Sequence, residues 1–244
     1  MDLLAGIVAW FLEPDHWQGP AGVPSRLLEH AAVSGGALVV AMAIALPVGL
    51  LVGHTGRGAT LAINLANLGR ALPTFAVMGL VIPVTAAIDS DLGFKVYPAL
   101  VGLVILAIPP ILVNTYAGVS EVDRDIVEAG RAMGMRPSEV LTRVEVPVAL
   151  PVISGGIRSG AAQIIATATL AAVFGGPGLG RYLVEGYAQR DYPMMFAGVI
   201  LVAAMFAVVE LAFAAAQRAL TSPGLRSAAL EGTSQPARAG ASSS

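Results

Sequence analysis

The chain has 244 residues, of which 56% are hydrophobic and only 12% charged, and its formal net charge is −2. Soluble globular domains carry about 25% charge, so this composition belongs to a chain whose surface mostly faces lipid, and the near-neutral charge gives no sign of nucleic-acid binding. Cysteine is absent, which excludes disulfides, thiolate nucleophiles and cysteine metal sites.

The opening stretch, MDLLAGIVAWFLEPDHW, does not read as a signal peptide. Asp2 stands where a positive region belongs, and no small-residue cleavage site follows. Leu3 to Leu12 is too short to cross a bilayer and is expected to form an interfacial or packed helix within an N-terminal segment, 1–28. Ala31 to Gly53 carries no charge and is long enough for span one, with Pro47 bending its last turns. A polar turn, His54 to Arg57, follows. One helix from Gly58 to Ile88 would exceed a span and bury Arg70 at its middle, which is costly. The expectation is therefore a short packed helix before Arg70, with that side chain near the inner interface, where it snorkels. Span two then runs from Ala71 to Ala87 with Pro73 in its first turn. Asp89, Asp91 and Lys95 make the next turn. Span three covers Val96 to Tyr116. Its Pro109–Pro110 pair frees backbone carbonyls that need partners inside a bundle, as a packing kink or as a moving one beside a pathway. Asn114, Thr115 and Tyr116 close the span, as caps or as transmitters of motion.

A polar segment, 120–146, interrupts the apolar chain. Ser120 and Asp123 have capping-box spacing, and Asp123 can itself be the cap. Ile126, Val127, Ala129, Ala132 and Met133 share an apolar side. Arg124, Glu128 and Arg131 are spaced to pair across turns. Gly134 stops the helix, Pro137 starts a second one, and Pro147 marks the start of span four. Two readings stand: a solvated linker, or a docking element whose small residues let a partner approach. Span four, Val148 to Val173, carries Arg158 about ten residues in, as a snorkelling or paired side chain or as a gating one. Ser154, Gly155, Gly156, Ser159, Gly160, Ala161 and Ala162 permit close helix contact. GGPGLG at 175–180 reads as a turn and lacks the lysine and hydroxyl residue of a phosphate loop. Span five is Met194 to Ala216, with Glu210 near one end, and 217–244 reads as a flexible cytoplasmic tail.

These elements make an all-α polytopic membrane protein with about five transmembrane helices. Arg57, Arg124, Arg131, Arg136, Arg143, Arg218 and Arg226 fall on one side, and Arg26, Lys95, Arg181 and Arg190 on the other. The richer side is expected in the cytoplasm, with the N terminus outside and the C terminus inside. Tyr97, Tyr182, Tyr187 and Tyr192 then lie near the outer side, as interface anchors or as ligand contacts. His16, His30 and His54 are far apart in sequence, so neither a metal nor a cofactor is expected.

Glu128, Ala129, Gly134, Val144, Val146 and Pro147 resemble the EAA signature of inner-membrane permease subunits of binding-protein-dependent ABC importers, with Gly130 in place of the usual second alanine. NTYAGVSEVDRDIVEAGRAMGM, VEVPVALPVISGGIRSG, ATATLAAVFGGPGLG and ALPTFAVMGLVIP are similar to segments of the glycine betaine, carnitine and choline branch, over about Glu29 to Ala216. The resemblance implies a type I ABC importer (MetI-like) permease core in a bacterial inner membrane, 29–216. Its coupling helix near Ile126 to Gly134 would sit in a groove of a cytoplasmic ABC ATPase dimer. Glu128 would orient the element, Ala129 permit close approach and Gly134 allow the turn. Gly130, Met133 and Pro147 complete that coupling set, while Pro109, Pro110, Asn114 and Arg158 are gating or packing candidates. The implied partners are those ATPases, a second permease chain, identical or homologous, and a separate extracytoplasmic binding protein that delivers a small-molecule substrate. No covalent catalysis is implied. Alternatives are a permease for another small ligand such as an amino acid, a membrane enzyme, or a scaffold subunit without transport.

Overall fold

A computed structural model describes residues 3–220, with side chains to Gln217, and every described element is helical. The predicted tail lies outside these residues from Thr221 onward. Among the described residues, four helices are long and apolar enough to cross a membrane, and a bent pair makes a fifth candidate.

Helix α1 (Leu3–Leu12) is packed: a Cβ on its Gly6 would meet the Pro193 ring at 2.9 Å. Helix α2 spans Val23–Thr55 and so begins well before the charge-free run. Its early charges are satisfied locally. Arg26 pairs with Glu29 at 2.9 Å, and Glu29 also accepts from the Gly178 N–H at 2.9 Å. At 33 residues the helix is about 50 Å long, more than the hydrocarbon needs. Gly56 and Gly58, both at positive φ, then reverse the chain into α3 (Ala59–Ala71).

Two expectations fail at the end of α3. Pro73 is the cap before α4 (Thr74–Ile88), not a first-turn residue, and α4 leaves α3 at 91°. Arg70 does not lie at the inner interface. A Cβ on Gly69 would be 3.4 Å from Pro109, while one on Gly102 would be 3.3 Å from Thr74. Both neighbours belong to the body of α6 (Tyr97–Ser120), so Arg70 is held halfway along that helix. The reason is that α3 enters the bundle beside α6 instead of lying across its end. A one-turn helix, α5 (Leu92–Lys95), links α4 to α6, and the Thr85 hydroxyl ties that corner by donating to Gly93 O at 2.6 Å.

The core is the contact of α2 with α6 and of α6 with α9. Ala37, Ala41, Ala45 and Gly49 recur every fourth residue on α2, one buried ridge. Gly49 leaves room for Thr115 and Gly53 for Val119, at 2.7 Å from a built Cβ in each case. Ala107 and Ile111 of α6 are buried in this core, Pro109 faces Gly69 of α3, and Pro110 lies beside Gly156 of α9. After α6 come α7 (Arg124–Ala132) and α8 (Pro137–Val140). A π-helical turn, Leu141–Glu145, joins α8 to α9 (Val146–Thr167), and a 3₁₀ turn continues to Phe174. Span four is thus one run from Pro137 to Phe174, and Pro147 sits inside it. In the wider turn the Val146 N–H reaches back five residues to Leu141 O, so the ladder is already shifted where proline supplies no donor.

Helix α10 (Gly180–Gln189), which no long apolar run announces, packs on α11 (Tyr192–Leu220). With α1 they form a second apolar cluster containing Trp10, Leu179, Tyr182, Ala197 and Leu201. Tyr182 is therefore not an interface anchor. Its ring is buried edge-on to Trp10, its hydroxyl donates to Ala21 O at 2.7 Å, and burial pushes the phenol up to about 12. Tyr187 and Tyr192 are exposed.

Candidate functional site

The polar segment folds into a small knob at the end of the bundle that holds the C terminus of α2. Asp123 caps α7, its carboxylate accepting from the Asp125 N–H at 2.9 Å, while Ser120 instead donates to Ala117 O within α6. The helix ends on Gly134 at φ 83°. Gly134 N–H bonds Arg131 O and Met135 N–H bonds Gly130 O, the paired pattern that closes a helix on a left-handed glycine. Arg136 N–H then donates to Glu139 at 2.9 Å to start α8.

The two faces of α7 differ. Gly130 is buried, and a Cβ there would touch Met135, Val140 and Val144 at 3.5–3.8 Å. Gly130 is the α7 residue set against α8 and the π turn, with ordinary van der Waals room for a methyl group, while Ala129 lies open on the other face. Glu128, Ala129 and Gly134 are exposed, as are Ile126 at 48% and Met133 at 73%. Ile126, Ala129 and Met133, at helical spacing, thus share one exposed apolar face of α7. The expected pairing of Arg124, Glu128 and Arg131 is absent: no ion pair joins them among the described residues. They line a polar cleft of about 390 Å³, shared with Gly53, His54, Thr55 and Glu145.

That cleft contains a pair the sequence did not disclose. His54 Nδ1 donates to Glu145 Oε2 at 2.6 Å, and Glu145 is only 4% exposed. The bond ties the end of α2 to the π turn leading into α9. The residues are 91 positions apart, so no local spacing marks them. The one available signal is a carboxylate between the valines Val144 and Val146.

Pro109, Pro110, Asn114 and Arg158, the gating or packing candidates, are each held by neighbours in this structure. Pro109 and Pro110 are buried inside α6, where Asn114 Nδ2 donates to Pro110 O at 2.7 Å. Asn114 lies directly under Gly156 of α9, at 2.6 Å from a built Cβ. Arg158 pairs with Glu210 of α11, its Nε donating to Oε1 at 2.6 Å and its Nη2 to the same oxygen. Pro147 is exposed on α9, away from the α7 surface contacts.

Residues 45–222 match the family described as binding-protein-dependent transport system inner membrane component. The chain is 34% identical over 201 residues to a choline transport system permease protein of Bacillus subtilis, covering 82% of this chain and 89% of that one. It is 32% identical over 222 residues to a carnitine transport permease protein of Listeria monocytogenes, covering 91% and 96%. An osmoprotectant import permease protein of Salmonella typhimurium is 33% identical over 202 residues, covering 83% and 93%. Among solved structures, an inward-facing MetNI methionine ABC transporter superposes with a TM-score of 0.72 at 24% identity, over 86% of this chain and 99% of that one. An amino acid ABC transporter with histidines gives 0.64 at 18%, over 91% and 98%.

Proposed function

We propose, from the premise that the chain belongs to the binding-protein-dependent transport system inner membrane components, that it carries a quaternary-ammonium osmoprotectant across the membrane. It is a multi-pass inner-membrane permease subunit of an ABC importer, not itself an enzyme. Glycine betaine, choline or carnitine is the cargo this reading assigns, and the names of the relatives support it. In this reading α7 is the coupling helix, and the observation that carries it is the exposed Ile126–Ala129–Met133 face on a knob whose other side is closed by Gly130. A cytoplasmic ABC ATPase grips that face. Closure of the ATPase pair on ATP pushes α7, and the His54–Glu145 bond passes the push to α2 and α9 together. A second permease chain, identical or homologous, completes the pathway across a twofold or pseudo-twofold axis. An extracytoplasmic binding protein delivers the solute, as the description of the matching family supports.

The test is uptake by vesicles holding the chain with its ATPase and binding protein, offered labelled glycine betaine, choline and carnitine in competition. ATP-dependent accumulation of at least one is expected. Accumulation of an amino acid in their place would reassign the cargo, and no ATP-dependent uptake of any solute would favour a scaffold role. Gly134→Asp should insert normally yet capture less ATPase at equal membrane expression, because bulk and charge enter the gripped face. Undiminished capture counts against the coupling role.

A further inference from the structure

Helix α3 has three faces. Ala62, Ala66 and Gly69 turn toward α2 and α6. Leu61, Leu65 and Leu68 are exposed on a second side, suited to lipid. Thr60, Asn64 and Asn67 follow one another at helical spacing on a third side, with Arg70 three residues further on, and all four are exposed. The side chains of Asn64, Asn67 and Arg70 have no hydrogen-bond or ion-pair partner among the described residues. Arg158, in the body of α9, is by contrast paired with Glu210.

A bare guanidinium at half depth is costly in hydrocarbon, and of the two exposed sides the leucine one is suited to lipid. The polar side therefore meets water or a polar group. It ends where α3 and α4 break apart at 91°, and a broken membrane helix is where solute sites form, because its unpaired backbone ends are tolerated only beside a cavity. We propose that the Thr60–Asn64–Asn67 stripe lines the transport pathway and that Arg70 receives the carboxylate of a zwitterionic solute. The open carbonyls that end α3 beside it attract the ammonium end, so the break offers a place for both charges. The proposal rests on the osmoprotectant reading and sharpens it: glycine betaine and carnitine carry a carboxylate, and choline carries a hydroxyl instead.

The assembled transporter, reconstituted with ATPase, partner permease and binding protein, is assayed with labelled glycine betaine and labelled choline. Arg70→Gln should slow glycine betaine uptake about tenfold or more, the loss of a charge-assisted hydrogen bond, with choline uptake unchanged and Arg70→Lys intermediate. Because the chain has no cysteine, Asn67→Cys and Leu65→Cys give clean single-thiol variants. A water-soluble thiol reagent should modify the first and not the second, and glycine betaine should protect the first. Equal slowing of both solutes by Arg70→Gln, or equal labelling of the two cysteines, overturns the proposal in favour of a contact with lipid phosphate or the partner chain. Wild-type uptake of choline alone overturns it and leaves the osmoprotectant reading standing. Should glycine betaine be the only cargo, its unslowed uptake by Arg70→Gln overturns the proposal. Wild-type vesicles that carry neither solute overturn the osmoprotectant reading, and the assignment of Arg70 with it.

Discussion

Gly156, Arg158 and His54 show how single side chains set this structure. A Cβ at Gly156 would lie 2.6 Å from Asn114 and 2.9 Å from Pro110 O, and neither the proline-bearing backbone nor the packed asparagine can retreat. Gly156→Val should cost about 1–3 kcal/mol by overpacking, read as a lower melting temperature in detergent, while Gly35→Ala, with nothing within 4 Å, should not lower it. Arg158 and Glu210 depend on each other. Replacing either alone by Met strands a charge between α9 and α11, so both single variants should give less folded protein than the double variant, and a double-mutant cycle measures the coupling. His54→Ala strands Glu145 at 4% exposure. That loss, on the order of 3 kcal/mol, should appear as faster amide exchange at the end of α2 and at the π turn, with the centre of α6 still protected.

At the scale of elements, Gly134→Ala tests the knob. Its φ of 83° costs an L-residue about 1 kcal/mol or more, so the 133–136 link should become more sensitive to protease while the spans stay intact. The same scale shows what a sequence can disclose. Long apolar runs, charge-free in α2 and α6 and broken by a single charge in α9 and α11, marked the spans, because crossing a membrane constrains composition over some twenty residues. The knob was legible for the opposite reason, as polarity where none was needed, with Asp123 and Gly134 bounding α7 as expected. The start of α2 was not, since Arg26 and Glu29 read as a boundary until Gly178 is seen to approach from 149 residues away. Nor was α10 legible, whose ten residues gain their helix from packing beneath α11. Arg70 was misplaced because composition gives no depth: only the contact of Gly69 with Pro109 fixes it.

For the whole molecule, the ends of the bundle can be told apart. One holds His54, the knob and Glu145; the other holds Glu29, Gly178 and the corner at Lys95, whose carbonyl approaches Gly176. This grouping supports the arginine count made from sequence for the residues described, and Arg218 and Arg226 add nothing to it here. We expect the knob inside the cell. Glu128→Cys should resist an impermeant thiol reagent in intact cells and react after permeabilisation, whereas Tyr187→Cys on exposed α10 should react in both. Labelling of position 128 in intact cells would invert the topology and end the coupling account.

The five-residue turn before α9 has a further consequence for how this chain tolerates change in length. An ordinary helix advances about 100° per residue, so losing one residue between 150 and 160 would swing every later glycine off its neighbour. The loop at 141–145 already absorbs one surplus residue, and a deletion there would hand on the same face to everything downstream. Continuity of the span therefore does not require that surplus, which leaves the turn free for another duty; here it carries Glu145 to the tip of a distant helix.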